Sequence, residues 1–277
     1  MVQNIDSLYL TAPIVIIAFS FGLVIYCFKK GGFSKWTLLF SAVAYWVAIL
    51  LKFAIQLPTV AIVESVSSNN PLVLGLYYGI QTGILEVGGA FIVAVYAYSH
   101  GKIKDGDAEG FGVGLAFWEN GVFIALPLLL DYIAYLAILS SPSSPIAKTL
   151  YSTLASAAPS LFYGPTQALP LIGLSILERI SSLLAHFSWG SLAVLSAVYR
   201  KRNYFALAFP IGFSIDFLVP FEASLGLGFF ELIIFLISLV GTIVTLKVAR
   251  QVRGQMKNSA REDLHGAGES PSKMNNP

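Results

Sequence analysis

The sequence predicts an all-α, polytopic transmembrane helical bundle of about seven spans, and three observations carry that prediction. Hydrophobic residues make up 56% of the 277 residues and charged residues only 12%, where a soluble domain carries roughly 25% charged residues. The apolar residues gather into runs of about 20 or more, the length that crosses a hydrocarbon layer of roughly 30 Å. Lysines and arginines cluster at alternate ends of those runs, the asymmetry that orients helical membrane proteins. Alternating segments of about ten residues, the mark of a transmembrane barrel, do not occur.

The runs expected to span are residues 8–28, 36–57, 72–98, 111–131, 169–199, 204–221 and 225–248, within an integral membrane domain of residues 1–257. Lys29, Lys30 and Lys35 follow the first run. Pro58 closes the second, which contains Lys52, and a polar stretch from Glu64 to Asn70 leads to the third. Glu86 lies near the middle of the third run; Lys102, Lys104, Asp105, Asp107 and Glu109 occupy the loop after it. The fourth run carries Glu119 and Asn120, with a kink expected at Pro127. Residues 140–167, rich in Ser, Pro and Ala, read as an outer loop with a short interfacial helix over Ile146–Ala157.

The fifth run is about 30 residues long, so it must tilt or project. It contains Glu178, Arg179 and His186 and ends at Arg200, Lys201 and Arg202. Asp216 lies in the sixth run, and the seventh leads through Lys247, Arg250, Arg253 and Lys257 into a polar tail, residues 258–277, expected to be a disordered cytoplasmic segment. With the N-terminus outside and the C-terminus inside, every basic cluster faces the cytoplasm and only Lys148 remains in an outer loop. The expected location is the plasma membrane, with the lipid bilayer as the first partner.

Composition and motifs exclude several classes. The single cysteine, Cys27, permits neither an intrachain disulfide nor a cysteine zinc knuckle. The opening MVQNIDS lacks a basic n-region, so a cleaved leader is not expected. No GxGxxG, Walker lysine or HExxH motif is present, no repeat supports an inverted-repeat transporter, and no basic patch interleaved with aromatics suggests nucleic acid.

Ionisable side chains at membrane depth are functional candidates by default. At 1.5 Å per residue, Glu119 falls about 12 Å from the inner boundary and His186 and Asp216 about 20 Å, with Glu86 near mid-span. Lys52, Glu178 and Arg179 fall nearer the outer face, where long side chains snorkel. Two readings stand side by side. In one, Glu178 and Arg179 form an outer structural ion pair with neighbours such as Lys52, and each other acid is hydrogen-bonded across helices. His186 is then a neutral imidazole on a serine such as Ser182. In the other, Glu86, Glu119, His186 and Asp216 converge on a hydrated interior site. Glu178 and His186 are eight residues apart, about 12 Å along the helix, and cannot share one metal ion; Arg179 and His186 share a face.

Several elements resemble a known family. Glu178-Arg179 followed by His186, then the basic turn Arg200-Lys201-Arg202 and Ile215-Asp216-Phe217, looks like the YhfC-type intramembrane metalloproteases, distantly similar to CAAX-processing proteases. The earlier elements fall in order: Gly83-Ile84-Leu85-Glu86-Val87-Gly88-Gly89, then Gly112 to Glu119. The resemblance covers about Leu72 to Phe221. It implies a divalent metal, zinc in that family, with Glu86 or Glu119 as general base to a metal-bound water, His186 and Asp216 as ligands, and a membrane-embedded peptide as substrate. The chain departs from the pattern in three places: no arginine follows Glu86 in its helix, Leu115 stands where a histidine is expected before Glu119, and Gly212 stands where another is expected before Asp216. Those departures point to a member that has lost its metal. A non-enzymatic transporter or a proton- or cation-responsive membrane protein is the alternative expectation.

Overall fold

The structure, a computed structural model, describes residues 6–268 and is helical, with no strand among the described residues. Seven helices there are long and apolar enough to cross a membrane. They are α1 (Ser7–Lys29), α2 (Lys35–Val66), α3 (Pro71–Ser99), α4 (Asp105–Leu136), α5 (Pro165–Tyr199), α6 (Arg202–Leu225) and α7 (Leu227–Gly268, apolar through Met256). A short helix, Pro145–Ala157, lies in the long connection between α4 and α5. The last helix continues through Gly268, and the remainder of the expected tail, residues 269–277, lies outside the described residues.

Local chemistry sets the ends. Ser34 and Thr37 form a capping box at the start of α2, each satisfying a backbone N–H that the first turn leaves free. Asn70 caps α3 ahead of Pro71, where a missing N–H costs nothing. Arg200, at φ 53°, stops α5 in the left-handed region. Pro58 does not close α2: the helix runs through it to Val66. The Thr59 hydroxyl donates to the Ile55 carbonyl at 2.6 Å and pairs with the Tyr77 hydroxyl at 2.6 Å, supplying polar contacts around the interruption.

The bundle is built around α5, which packs on α3, α4, α6 and α7. Its stretch from Leu192 to Leu195 is fully buried. Small residues let the backbones approach, as is usual where lipid supplies no drive for helix association. A Cβ on Gly112 of α4 would lie 2.4 Å from the Phe187 carbonyl oxygen of α5. Between α3 and α6, Gly75, Gly79 and Gly83 face Phe217, Phe213 and Phe209 in turn, one small residue per aromatic. Isoleucine, leucine and valine side chains such as Leu57, Val66, Ile92 and Val240 stay exposed on the outside, the lipid-facing belt that a bilayer covers.

Candidate functional site

Two of the expected acids sit where the helices widen. α3 contains a π-helical segment over Thr82–Val87 that carries Glu86, and α4 contains one over Phe117–Ala125 that carries Glu119 and Asn120. Such wide turns shift the phase of a helix and recur at functional sites. Here they turn both carboxylates toward His186 on the central helix.

The contacts run as a chain across five helices. His186 Nδ1 lies 2.9 Å from Glu119 Oε2 and 2.9 Å from the Ser182 carbonyl oxygen. Two acceptors on one ring nitrogen place the proton on Nδ1. The other nitrogen, Nε2, is buried without a hydrogen-bond partner among the described residues and faces Glu86 Oε2 at 3.7 Å. Glu86 Oε1 accepts from Lys52 Nζ at 2.6 Å, and the same ammonium reaches Asp216 Oδ2 at 2.6 Å and Thr82 Oγ1 at 2.8 Å. Thr82 in turn donates to Asp216 at 2.5 Å. Glu86, Glu119, His186 and Asp216 thus line one cavity of about 370 Å³, together with Lys52 and Arg179.

Lys52 stands elsewhere than expected. Its ammonium lies on Glu86 and Asp216 rather than beside Glu178. Lys52 is 17 residues from Lys35 and 14 from Val66 in the continuous helix α2, and the packing of α2 against α3 and α6 sets its partners. The Glu178–Arg179 contact is present, and Arg179 also turns inward, 3.8 Å from Glu119 Oε1 and 3.5 Å from Asn120 Oδ1. Ser182 is indeed beside His186, at 3.3 Å from Nδ1. Thr82, Glu222 and Glu231 line the same cavity and are not among the residues expected there from the sequence. Glu231 was legible, as an acid six residues into the seventh run; Thr82 and Glu222 carried no signal.

The geometry excludes one chemistry. A serine–histidine–acid relay needs the hydroxyl on one ring nitrogen and the acid on the other. Ser182 and Glu119 are both on Nδ1, and Ser182 donates to Glu119 directly at 2.8 Å.

A catalytic zinc ion needs three protein ligands and an open position. The residues present do not fit it. His186 Nε2 is the one uncommitted imidazole nitrogen of the cavity, and Glu86, which faces it, shares the Lys52 ammonium with Asp216. No group of three or more His, Cys, Asp or Glu residues that could hold a metal ion forms among the described residues. Leu115 packs with Glu86, His186 and Trp189 around a small void. A Cβ at Gly212 would lie 2.4 Å from Val87 Cγ2, so α6 has closed on α3 at that position.

A family model described as YhfC intramembrane metalloprotease matches residues 14–220. No curated protein matches the chain. No solved structure matches it.

Proposed function

The chain belongs to the YhfC intramembrane metalloprotease family, and from that premise we propose that it is a catalytically degenerate member. It is read as a multi-pass protein of the plasma membrane, N-terminus outside and C-terminus inside, whose intramembrane cavity binds a ligand without metal-dependent hydrolysis. One observation carries this reading: Lys52 Nζ lies 2.6 Å from both Glu86 and Asp216. The family's description implies a metal cofactor, and the ammonium supplies a positive charge between two of the carboxylates that would face such an ion. Glu86 then accepts from an ammonium rather than from a water, and Glu119 orients the imidazole of His186 rather than acting as a base.

Metal analysis of the detergent-purified protein tests this. Well under one divalent ion per chain is expected. About one zinc per chain, lost in His186→Ala, would overturn it and restore Glu86 or Glu119 as general base, His186 and Asp216 as ligands, and a membrane-embedded peptide as substrate.

A second reading rests on the continuity of Glu119, His186, Glu86, Lys52 and Asp216. Five ionisable groups in sequence along a cavity suit a proton- or cation-responsive membrane protein. Proton-coupled uptake into proteoliposomes, abolished in Glu119→Gln and His186→Ala, would favour it.

A further inference from the structure

The cavity has a second end, formed where α6 meets the start of α7, and its charge is unbalanced. The cavity walls carry the carboxylates of Glu86, Glu119, Glu178, Asp216, Glu222 and Glu231 against the cations Lys52 and Arg179 and the imidazole of His186, which lies between Glu86 and Glu119. Lys52 is taken by Glu86 and Asp216, and Arg179 by Glu178 and Glu119. Glu231 has no ion pair among the described residues. It is 3% exposed, and its Oε2 is buried without a hydrogen-bond partner among those residues. A buried carboxylate oxygen with no partner costs free energy that a ligand can recover.

The neighbours define the ligand's chemistry. Glu222 is exposed and the Glu178 side chain is 45% exposed, so acids lead from the surface toward the buried one. Focused negative potential in a low-dielectric cleft draws in cations. Leu227, Phe230 and Ile234, on the same helix as Glu231, add apolar walls and an aromatic ring. Apolar walls suit an alkyl-bearing ammonium or guanidinium better than a hydrated metal ion, and an aromatic face attracts such a group.

We infer that this end of the cavity binds an organic cation, an alkylammonium or alkylguanidinium, on Glu231, with Glu178 and Glu222 guiding it in. The inference rests on the proposed reading in one respect: it supplies the ligand for a cavity that does not hold zinc.

The test is calorimetric titration of the full-length protein in lipid nanodiscs, in EDTA, with n-butylguanidinium and with n-butylurea, its uncharged counterpart. A single-arginine transmembrane peptide and its citrulline analogue form a second pair. Saturable binding of the charged member only, weakened at least tenfold in Glu231→Gln, is the expected result. Binding of free n-butylguanidinium would identify a small ligand, and binding of the arginine peptide alone a polypeptide side chain. The inference is overturned if neither charged probe binds, if charged and uncharged probes bind alike, or if a folded Glu231→Gln binds as wild type. Should that variant not fold, the charged–uncharged comparison on wild type still decides. Metal content of the same samples is read separately: zinc at one per chain sinks the degenerate reading, and absent cation binding sinks this one alone.

Discussion

Lys52 and Asp216, 164 residues apart in the chain, meet through an ammonium–carboxylate contact of 2.6 Å. Glu86 shares the same ammonium at the same distance. The contact joins α2, α3 and α6 inside the bundle, and neither partner side chain is more than 25% exposed. It sets both the stability and the chemistry expected of the site.

Removing that cation leaves two carboxylates facing each other. Lys52→Met should lower stability by about 3–5 kcal/mol, the cost of breaking a buried pair by deleting one partner. The triple variant K52M/E86Q/D216N should recover most of the loss. Unfolding midpoints in one detergent check this; a Lys52→Met protein as stable as wild type would show that the ammonium is not the partner of these acids.

The glycine–phenylalanine register between α3 and α6 packs together the two helices that carry Glu86 and Asp216. A methyl group at Gly75 would come within 2.4 Å of the Phe217 backbone oxygen, and backbone cannot yield as a side-chain tip can. Gly75→Ala should cost about 1–3 kcal/mol by overpacking. Gly22→Ala, where the methyl meets nothing within 4 Å, should leave the midpoint within about 0.5 kcal/mol of wild type.

At the end of the bundle away from Glu231, Arg253 of α7 grips the first turns of α4. It donates to both Glu109 carboxylate oxygens at 2.7 Å and to Asp105 at 3.0 Å. Arg253→Gln should speed proteolysis of the connection over residues 100–104 severalfold, with a global cost on the order of 1 kcal/mol because the pair is partly solvated. An unchanged cleavage rate would count against the clamp.

Topology is open to labelling. In a Cys27→Ser background, Ser160→Cys should react with a membrane-impermeant maleimide in intact cells, whereas Lys102→Cys should react only after permeabilisation. The opposite pattern would place the N-terminus inside.

Much of the fold is legible in the sequence because the bilayer imposes it. Hydrocarbon demands about 20 apolar residues per span, and all seven runs become helices. The convergence of Glu86, Glu119, His186 and Asp216 was one of two open readings, since depth along a helix is readable while azimuth is not. Azimuth depends on the wide turns at Thr82–Val87 and Phe117–Ala125, which have no compositional signature. The pairing of Lys52 with Glu86 and Asp216 is likewise a matter of azimuth, set by how α2 packs on α3 and α6. The buried orphan on Glu231 is a tertiary fact: only the packing of α7 against α5 decides whether that acid meets a cation.

The Lys52 ammonium lies between Glu86 and Asp216, and we propose that no metal ion takes its place. An experimental structure of the protein incubated with excess zinc, with anomalous scattering recorded at the zinc edge, tests it most directly. Continuous side-chain density from Lys52 to both carboxylates, with no anomalous peak in the cavity, is the expected result. An anomalous peak bonded to His186 Nε2 and either carboxylate, with Lys52 displaced, would contradict it.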